Sequence, residues 1–235
     1  MDKPGVVAAK LPVHVGLILD GNRRWAKLQG LPAMEGHRAG YQTIKTIAMH
    51  AADRGIQYAS AFVFSTENWQ RSKVEVDFLM NLLVWAVESD IDEYIQHGIK
   101  LVIVGSWQGV SPRVKRALQK AEQRTAQGTR LTTCLCFNYG ARQEIADGVA
   151  RLIRDGVTAE EVTAEKLAGY MYHPEVPDID LLIRTSGEQR LSNFMLWRAA
   201  YAELLFSKTL WPAYTVTEFD QALADFAGRQ RRYGN

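Results

Sequence analysis

The 235-residue sequence lacks any apolar run of about 18 residues, so it contains no candidate transmembrane helix. It has only two cysteines, Cys134 and Cys136, and a disulfide between such near neighbours on a strand is geometrically poor. Two reduced core thiols in a cytoplasmic protein are therefore expected. The 28 Lys and Arg residues nearly balance the 26 Asp and Glu residues. No strong overall field therefore favours a nucleic acid partner.

The common phosphate-binding and zinc-binding motifs are also missing. The sequence contains no G-x-x-x-x-G-K-[ST] loop, no G-x-G-x-x-G fingerprint and no paired-cysteine zinc pattern. The acidic stretch at residues 90–93 is interpreted as a solvated helix face. Any site for an anionic ligand must therefore come from a local cluster of cationic side chains.

Short apolar runs alternate with longer segments of helical periodicity. Strands are predicted at residues 14–19, 58–64, 100–104, 131–137 and 179–183, and a sixth near 203–206. Helices are predicted at residues 38–54, 74–97, from 112 onward, 141–155, 164–172, 192–202 and 217–229. The alternation predicts one α/β domain with a mainly parallel sheet over residues 14–235, after a flexible lead-in at residues 1–13.

The predicted helix at residues 74–97 carries more apolar residues than one buried stripe requires. A helix that is apolar nearly all round is buried on several sides. Two interpretations stay open: it is an ordinary core helix, or one of its sides lines an apolar cavity.

Polar and charged residues follow four of the predicted strands, at the sheet edge where α/β proteins bind ligands. These segments are residues 20–25 (DGNRRW), 65–71 (STENWQR), 138–142 (NYGAR) and 184–193 (RTSGEQRLSN). Their forked cations suit phosphate oxygens, and they include Arg24, Arg71, Arg184 and Arg190. Asp20, with Glu203 elsewhere, is suited to holding Mg²⁺. The combination indicates a diphosphate ligand, or two.

Three long segments resemble the signatures of cis-prenyltransferases, in the same order along the chain. They are residues 14–40 (HV…DGNRRWAK…GHRAG), 64–71 (FSTENWQR) and 184–204 (RTSGEQRLSNF…LW…YAEL). The resemblance runs from about residue 14 to residue 234. It implies that isopentenyl diphosphate units are added with cis geometry to an allylic diphosphate such as farnesyl diphosphate. The implied product is a cis-polyprenyl diphosphate such as undecaprenyl diphosphate, and the implied cofactor is Mg²⁺.

The resemblance also implies an architecture and partners. The family fold has a central parallel sheet of about six strands surrounded by helices, with an apolar tunnel for the growing chain. The family is usually homodimeric. Transient contact with a membrane surface during product release is a further expectation, and no nucleic acid is expected.

Residue roles follow from the same resemblance. Asp20 matches the catalytic aspartate and, with Glu203, the Mg²⁺ ligands. Asn68 matches a catalytic residue sometimes assigned as the proton acceptor, but a neutral amide is a very weak base, which favours a positioning role. The expected allylic diphosphate site comprises Gly21, Asn22, Arg23, Arg24, Trp25, His37, Ser65, Thr66, Glu67, Trp69 and Arg71. The expected isopentenyl diphosphate site comprises Arg184, Arg190, Leu191, Ser192, Arg232 and Gly234, the last two reaching across the dimer.

The chain departs from the family pattern at three positions. Ala33 aligns with a frequent Arg, so one allylic phosphate contact is lost or comes from Arg23 or Arg38. Ala141 replaces a glycine, and Val63 stands where many long-chain members have a smaller residue facing the tunnel, which would shorten the product. Two alternatives stay open: a short-chain or branched-product synthase, and a non-catalytic partner subunit.

Overall fold

The computed structural model describes residues 11–229. In this part of the chain six strands form one parallel sheet in the order β3-β4-β2-β1-β5-β6. The strands are β1 (His14–Ile18), β2 (Tyr58–Ser65), β3 (Ile99–Val104), β4 (Leu131–Tyr139), β5 (Leu181–Arg184) and β6 (Glu203–Phe206). The predicted six-stranded parallel sheet is confirmed.

Helices cover both faces of the sheet. They are α1 (Asn22–Leu28), α2 (Ala33–Asp53), α3 (Lys73–Ser89), α4 (Ile91–Gln96), α5 (Pro112–Thr125), α6 (Ala141–Arg154), α7 (Ala164–Ala168) and α8 (Val216–Gly228). Alternate residues of a strand face opposite sides, so Leu101 and Ile103 join one apolar cluster and Val102 and Val104 join the other. The first cluster packs under α2, α3, α5 and α8.

The predicted helix at residues 74–97 is broken in two. It stops at Ser89, and Asp90 starts the short helix α4. The carboxylate of Asp90 accepts a hydrogen bond from the Tyr41 hydroxyl and lies 3.1 Å from Lys45 Nζ, both on α2. The interpretation of residues 90–93 as a solvated helix face is therefore wrong for Asp90, whose side chain is only 15% exposed.

The predicted helix at residues 192–202 is absent. Ser192, Asn193 and Met195 have left-handed backbone torsions, with φ of 49°, 64° and 40°, which no α-helix accommodates. The guanidinium of Arg198 donates to the carbonyls of residues 172, 173 and 176 and pairs with buried Glu144 at 2.9 Å. These long-range bonds outweigh the local helical pattern. The predicted helix at residues 164–172 likewise ends early, at Ala168, before Gly169.

Candidate active site

The carboxyl ends of β1 and β5 bring Asp20 and Arg184 together. The two strands are neighbours in the sheet, with Ile18 opposite Arg184. The Arg184 guanidinium is 4% exposed and donates to a carboxylate oxygen of Asp20 at 2.8 Å. It also donates to the Ser192 hydroxyl at 2.8 Å and to the Arg190 carbonyl at 2.5 Å. One buried arginine therefore joins Asp20 to the loop that carries the predicted isopentenyl diphosphate residues.

The turn after Asp20 depends on Gly21. Its φ is 112°, a conformation that side-chain-bearing residues rarely adopt, and it lies at the start of α1. A Cβ atom here would lie 2.9 Å from the Leu210 side chain. Gly21 thus lets the chain reverse tightly, so that the next turn of the chain presents Arg23 and Arg24 beside Asp20.

Arg24 and Arg190 share one carboxylate. The Arg24 guanidinium lies 3.5 Å from Glu188 Oε1, and Arg190 lies 2.5 Å from Glu188 Oε2. Arg24 also donates to the Ser186 hydroxyl at 2.5 Å and contacts Asp20 at 3.4 Å. Glu188 therefore bridges an arginine of the predicted allylic site and one of the predicted isopentenyl diphosphate site.

Asp20 is held in its ionised form. Burial by itself raises the pKa of Asp20, but the hydrogen bond and positive charge of Arg184, together with the charge of Arg24, outweigh it. The net effect lowers the pKa below its usual value. Asp20 is consequently a carboxylate at neutral pH.

A second group of cations gathers around Glu75, near the start of α3. Glu75 lies 2.9 Å from Arg71 Nη1, 3.4 Å from His37 Nε2 and 4.0 Å from Arg23 Nη1. Burial, and next the charge of Arg71, lower the pKa of His37 despite the opposing effect of Glu75. His37 is therefore a neutral imidazole at neutral pH, while Arg71 and Arg23 supply the positive charge.

The segment after β2 forms a 3₁₀ turn, Thr66–Gln70, that is held at several points. The Asn68 side-chain oxygen accepts from the Ser65 backbone N–H at 3.1 Å. The Trp69 indole donates to Asn138 at 2.7 Å, and Glu67 accepts from Asn193 at 3.0 Å. Thr66 donates to Glu67 at 3.2 Å. The carbonyl of Asn68 is thus engaged with the backbone, which favours the positioning role over that of a proton acceptor.

A cationic cleft and an apolar cavity meet at this edge of the sheet. The cleft, of about 840 Å³, is lined by Asp20, Gly21, Asn22, Arg23, Arg24, Lys27, Gly30, Leu31, Ala33, His37 and Arg71, with Leu19. The cavity, of about 160 Å³, lies between the sheet and helices α2 and α3. Leu19, Asn22, His37 and Arg71 line both. A ligand with a charged head and an apolar tail matches this pair of spaces.

The cavity wall includes two features that the sequence singled out. Helix α3 contributes Leu79, Met80, Leu83 and Val87, so one side of this over-apolar helix lines a cavity. Val63 also lines it, at a point where the register between β2 and β4 shifts. The cavity interpretation of this helix is therefore confirmed over the interpretation as an ordinary core helix.

Several predicted site residues lie elsewhere. Trp25 lines a separate groove, most of whose other lining residues belong to α2 and α3. Leu191 packs against the second apolar cluster, on the face of the sheet away from α2 and α3. Arg232 and Gly234 fall outside the described residues.

Glu203 is not beside Asp20 within one chain. It starts β6 opposite Leu181, three residues before Arg184, which places it roughly 10 Å back along the sheet. Its carboxylate pairs with Arg229 at 2.8 Å. Among residues 11–229, no group of three or more His, Cys, Asp or Glu side chains could hold a metal ion. The predicted pairing of Asp20 and Glu203 on one ion therefore has no support from the geometry of a single protomer.

Sequence reasoning missed Glu75 and Glu188 as site residues. Ser72 and Glu75 match a helix capping box, and that structural role is enough to explain a glutamate at this position. The Ser72 hydroxyl does accept from the Glu75 N–H at 3.3 Å, but the Glu75 side chain turns to the cations instead. The useful signal was its spacing of four residues from Arg71, since such pairs lie on one helix face.

The chain is similar to known proteins over nearly its whole length. A family model described as putative undecaprenyl diphosphate synthase matches residues 18–234. The chain belongs to the cis-prenyltransferase family. An isoprenyl transferase of Thermotoga maritima is 42% identical over 227 residues, covering 96% of this chain and 97% of its own length. A trans,polycis-polyprenyl diphosphate synthase of Thermobifida fusca, (2Z,6E)-farnesyl diphosphate specific, is 45% identical over 95% of this chain and 81% of its own.

Solved structures also support the assignment of this chain to the cis-prenyltransferase family. Lavandulyl diphosphate synthase from Lavandula x intermedia, in complex with dimethylallyl diphosphate, superposes with a TM-score of 0.91 at 31% identity, covering 96% of this chain and 99% of that chain. A probable undecaprenyl diphosphate synthase from Campylobacter jejuni gives 0.81 at 30% identity over the same shares. Within the described residues, no helix is long and apolar enough to cross a membrane.

Proposed function

We propose that this cis-prenyltransferase condenses isopentenyl diphosphate with an allylic diphosphate in a Mg²⁺-dependent reaction. The observation that carries the proposal is the junction of a cationic cleft with an apolar cavity, with Asp20 and Arg184 beside it. An allylic diphosphate has two or three negative charges at one end and a hydrocarbon at the other. The paired spaces offer a complementary environment to each end.

The allylic diphosphate binds in the cleft. Arg23, Arg24 and Arg71 supply forked donors for its phosphate oxygens. His37, neutral at this position, donates a hydrogen bond rather than charge. Ala33 lines the cleft without a charge, so Arg23, also in the cleft, takes over the contact that Arg provides at this position in other members.

Isopentenyl diphosphate binds on the side of Asp20 opposite the allylic diphosphate. Arg184 and Ser192 already share a hydrogen bond, and the 60% exposed Arg190 side chain is available to swing onto a phosphate. Arg184 contacts both Asp20 and this loop, so the two diphosphates lie on either side of one buried guanidinium. Arg232 and Gly234 complete this site from a second copy in a homodimer.

The donors around Asp20 fit a magnesium ion. Mg²⁺ takes one or two carboxylates plus waters and substrate phosphates, and the Asp20 oxygen that faces Arg24 lies 3.4 Å from it, at the long end of hydrogen-bond distance. When bound, the ion neutralises charge that develops on the departing diphosphate. Glu203 remains a proposed second ligand, one that a homodimer would have to bring from the partner.

The reaction forms a bond between C4 of isopentenyl diphosphate and C1 of the allyl group. The allylic C1–O bond breaks and the diphosphate leaves with that electron pair, while a proton is lost from C2 of the isopentenyl unit. Arginines stabilise the leaving charge, and the apolar wall keeps water away from the allylic cation. The departing diphosphate or Asp20 accepts the proton, since the side-chain carbonyl of Asn68 already accepts a hydrogen bond from the Ser65 backbone N–H.

Two product classes are candidates. The family resemblance favours farnesyl diphosphate as the primer and a long product such as undecaprenyl diphosphate. The cavity favours a short product, because a cavity of about 160 Å³ resembles one of about 150 Å³ that holds a single benzene. A long chain would have to enlarge the cavity into a tunnel while it grows.

Incubation of the purified chain with radiolabelled isopentenyl diphosphate and dimethylallyl, geranyl or farnesyl diphosphate tests the proposal. Mg²⁺-dependent incorporation, lost on addition of a chelator, is expected. Chromatography of the dephosphorylated products then separates the short and long classes. Failure to incorporate with every primer would refute the proposal and favour a non-catalytic partner subunit.

The proposed partners and location complete this function. A homodimer is supported by the edge strand β6, where Leu204 is 37% exposed and Tyr201, just before the strand, is 76% exposed. Light scattering on the purified chain would test this assembly. We place the enzyme in the cytoplasm, with transient contact of a membrane surface during release of an apolar product and no role for nucleic acid.

A further inference from the structure

Two tyrosines, Tyr41 and Tyr94, line the apolar cavity near the break between α3 and α4, at the far end of α3 from Glu75 and the cleft. Tyr94 is in α4, just before the start of β3, and the starts of parallel strands lie at the side of the sheet opposite the carboxyl ends that border the cleft. Burial raises the pKa of both hydroxyls, so both are neutral across the working pH range. This end of the cavity is therefore bounded by aromatic rings that carry no charge.

The ring of Tyr41 spans the gap between α2 and the break in the α3–α4 helix. Its hydroxyl donates to the Asp90 carboxylate and lies 3.5 Å from the Ala86 carbonyl. On the outer side, the Trp85 ring packs edge-on at a centroid distance of 5.7 Å. Tyr41 is thus fixed at its base by the helix, at its tip by Asp90 and on its solvent side by Trp85.

The acceptor of this hydrogen bond is itself held in place. Lys45, one helical turn after Tyr41, lies 3.1 Å from Asp90 and also pairs with Glu93. The Asp90 and Lys45 side chains are only 15% and 18% exposed, so solvent screens this pair less than a surface pair. Asp90 therefore stays oriented towards the Tyr41 hydroxyl.

We propose that the Tyr41 ring, held by Asp90, ends the cavity and limits the length of the prenyl chain that this enzyme makes. The inference rests on the proposed condensation reaction. A chain that grows past this point must push a fixed aromatic ring out of a packed site and leave a buried carboxylate without its hydroxyl partner. Both events disfavour further addition, so release of the product competes with elongation there.

The test compares product length for the wild type, Tyr41→Ala and Tyr41→Leu, with radiolabelled isopentenyl diphosphate and geranyl diphosphate. Removal of the ring opens space for about one further isoprene unit, as a 150 Å³ cavity holds one benzene. Tyr41→Ala is expected to shift the main product upward by that amount, and Tyr41→Leu, which retains more side-chain volume, by less. The leucine variant retains a good helix former on α2, so a shift in either folded variant suffices.

Two matched controls separate ring bulk from general loosening. Tyr41→Phe keeps the ring but loses the hydrogen bond to Asp90, so its main product is expected to lengthen less than that of Tyr41→Ala. Trp85→Ala removes an aromatic that touches Tyr41 but lies outside the cavity lining and is 51% exposed, and it leaves the hydrogen bond to Asp90 in place, so its product is also expected to lengthen less than that of Tyr41→Ala.

The outcomes distinguish the inference from the function on which it rests. Unchanged length in folded Tyr41→Ala and Tyr41→Leu would overturn the inference, as would equal lengthening in Trp85→Ala or Tyr41→Phe. Folding of each variant is checked by circular dichroism and thermal unfolding. If the wild type incorporates no isopentenyl units with any primer, the proposed function itself fails, whatever the variants do.

Discussion

Replacement of Asp20 by asparagine should separate the electrostatic role of this residue from its shape. The amide keeps the volume and one carbonyl oxygen, but it removes the negative charge that Arg184 contacts at 2.8 Å and Arg24 at 3.4 Å. If Asp20 organises charge at the reacting centre, turnover should fall by about 10²–10³-fold, the usual loss for one preorganised electrostatic group. Under saturating substrate this decrease appears in kcat.

The stability cost of the same change is bounded by the geometry. Breaking a buried ion pair costs about 3–5 kcal/mol, but Asp20 is 30% exposed and Arg184 retains the Ser192 hydroxyl and the Arg190 carbonyl. We therefore expect a loss of about 1–2 kcal/mol, which lowers Tm by roughly 2–8 °C in a domain of this size.

Steady-state incorporation of radiolabelled isopentenyl diphosphate and calorimetry measure both effects. Asp53→Asn is the control, because Asp53 pairs with Arg130 at 2.7 Å but both side chains are about half exposed. That variant should keep full turnover and lose less than about 1 kcal/mol. Near-wild-type turnover in Asp20→Asn would remove the carboxylate from the mechanism.

Three further predictions concern other residues. Arg190→Ala should raise KM for isopentenyl diphosphate far more than KM for the allylic substrate, and equal effects on both would contradict its assignment. Glu75→Gln should loosen Arg71 and His37 and raise the allylic KM by about tenfold, with a small fall in Tm, since hydrogen bonds to charged groups contribute about 1.5–3 kcal/mol; an unchanged KM would make Glu75 a helix-capping residue only. Burial lowers the pKa of His14 to about 4, whereas the unfolded chain takes up this proton near 6.5, so unfolding free energy should decline by up to roughly 3 kcal/mol as pH falls between these values. Urea unfolding at pH 7 and 5 should show roughly 2 kcal/mol of this decline in the wild type. His14→Gln should show a smaller decline, since His37 keeps its lowered pKa, and an equal slope in both proteins would refute the assignment.

The strand ends were the part of the site that sequence reasoning predicted well. Parallel strands have their carboxyl ends at one edge, so Asp20 and Arg184, 164 residues apart in sequence, had to lie close if β1 and β5 were neighbours. The pairing of Glu203 with Asp20 on one ion stays a prediction, because the distance between the two residues depends on the register of β6 with β5 and on assembly with a second copy. Register is a property of pairing and cannot be read from one strand alone.

The segment at residues 192–202 shows where a local pattern misleads. Phe194, Trp197 and Arg198 recur at helical spacing, yet Phe194 packs in the second core cluster and Arg198 bonds to Glu144 from a distant helix. A buried ion pair between residues 54 apart and three bonds to backbone carbonyls stabilise this segment more than the small helix propensity of its eleven residues would stabilise a helix. Without those partners, periodicity was the only signal available.

The arginines that line the cleft, Arg23, Arg24 and Arg71, are each paired with a carboxylate of the protein. These carboxylates are Asp20, Glu75 and Glu188. Incoming substrate therefore exchanges one counter-ion for another instead of filling an empty positive field. A monoanion such as chloride or acetate gains little from this exchange, because it offers no more charge than the group it displaces. A diphosphate offers more charge and more oxygens than the carboxylate that it displaces. The cleft therefore favours binding of a diphosphate over binding of small monoanions.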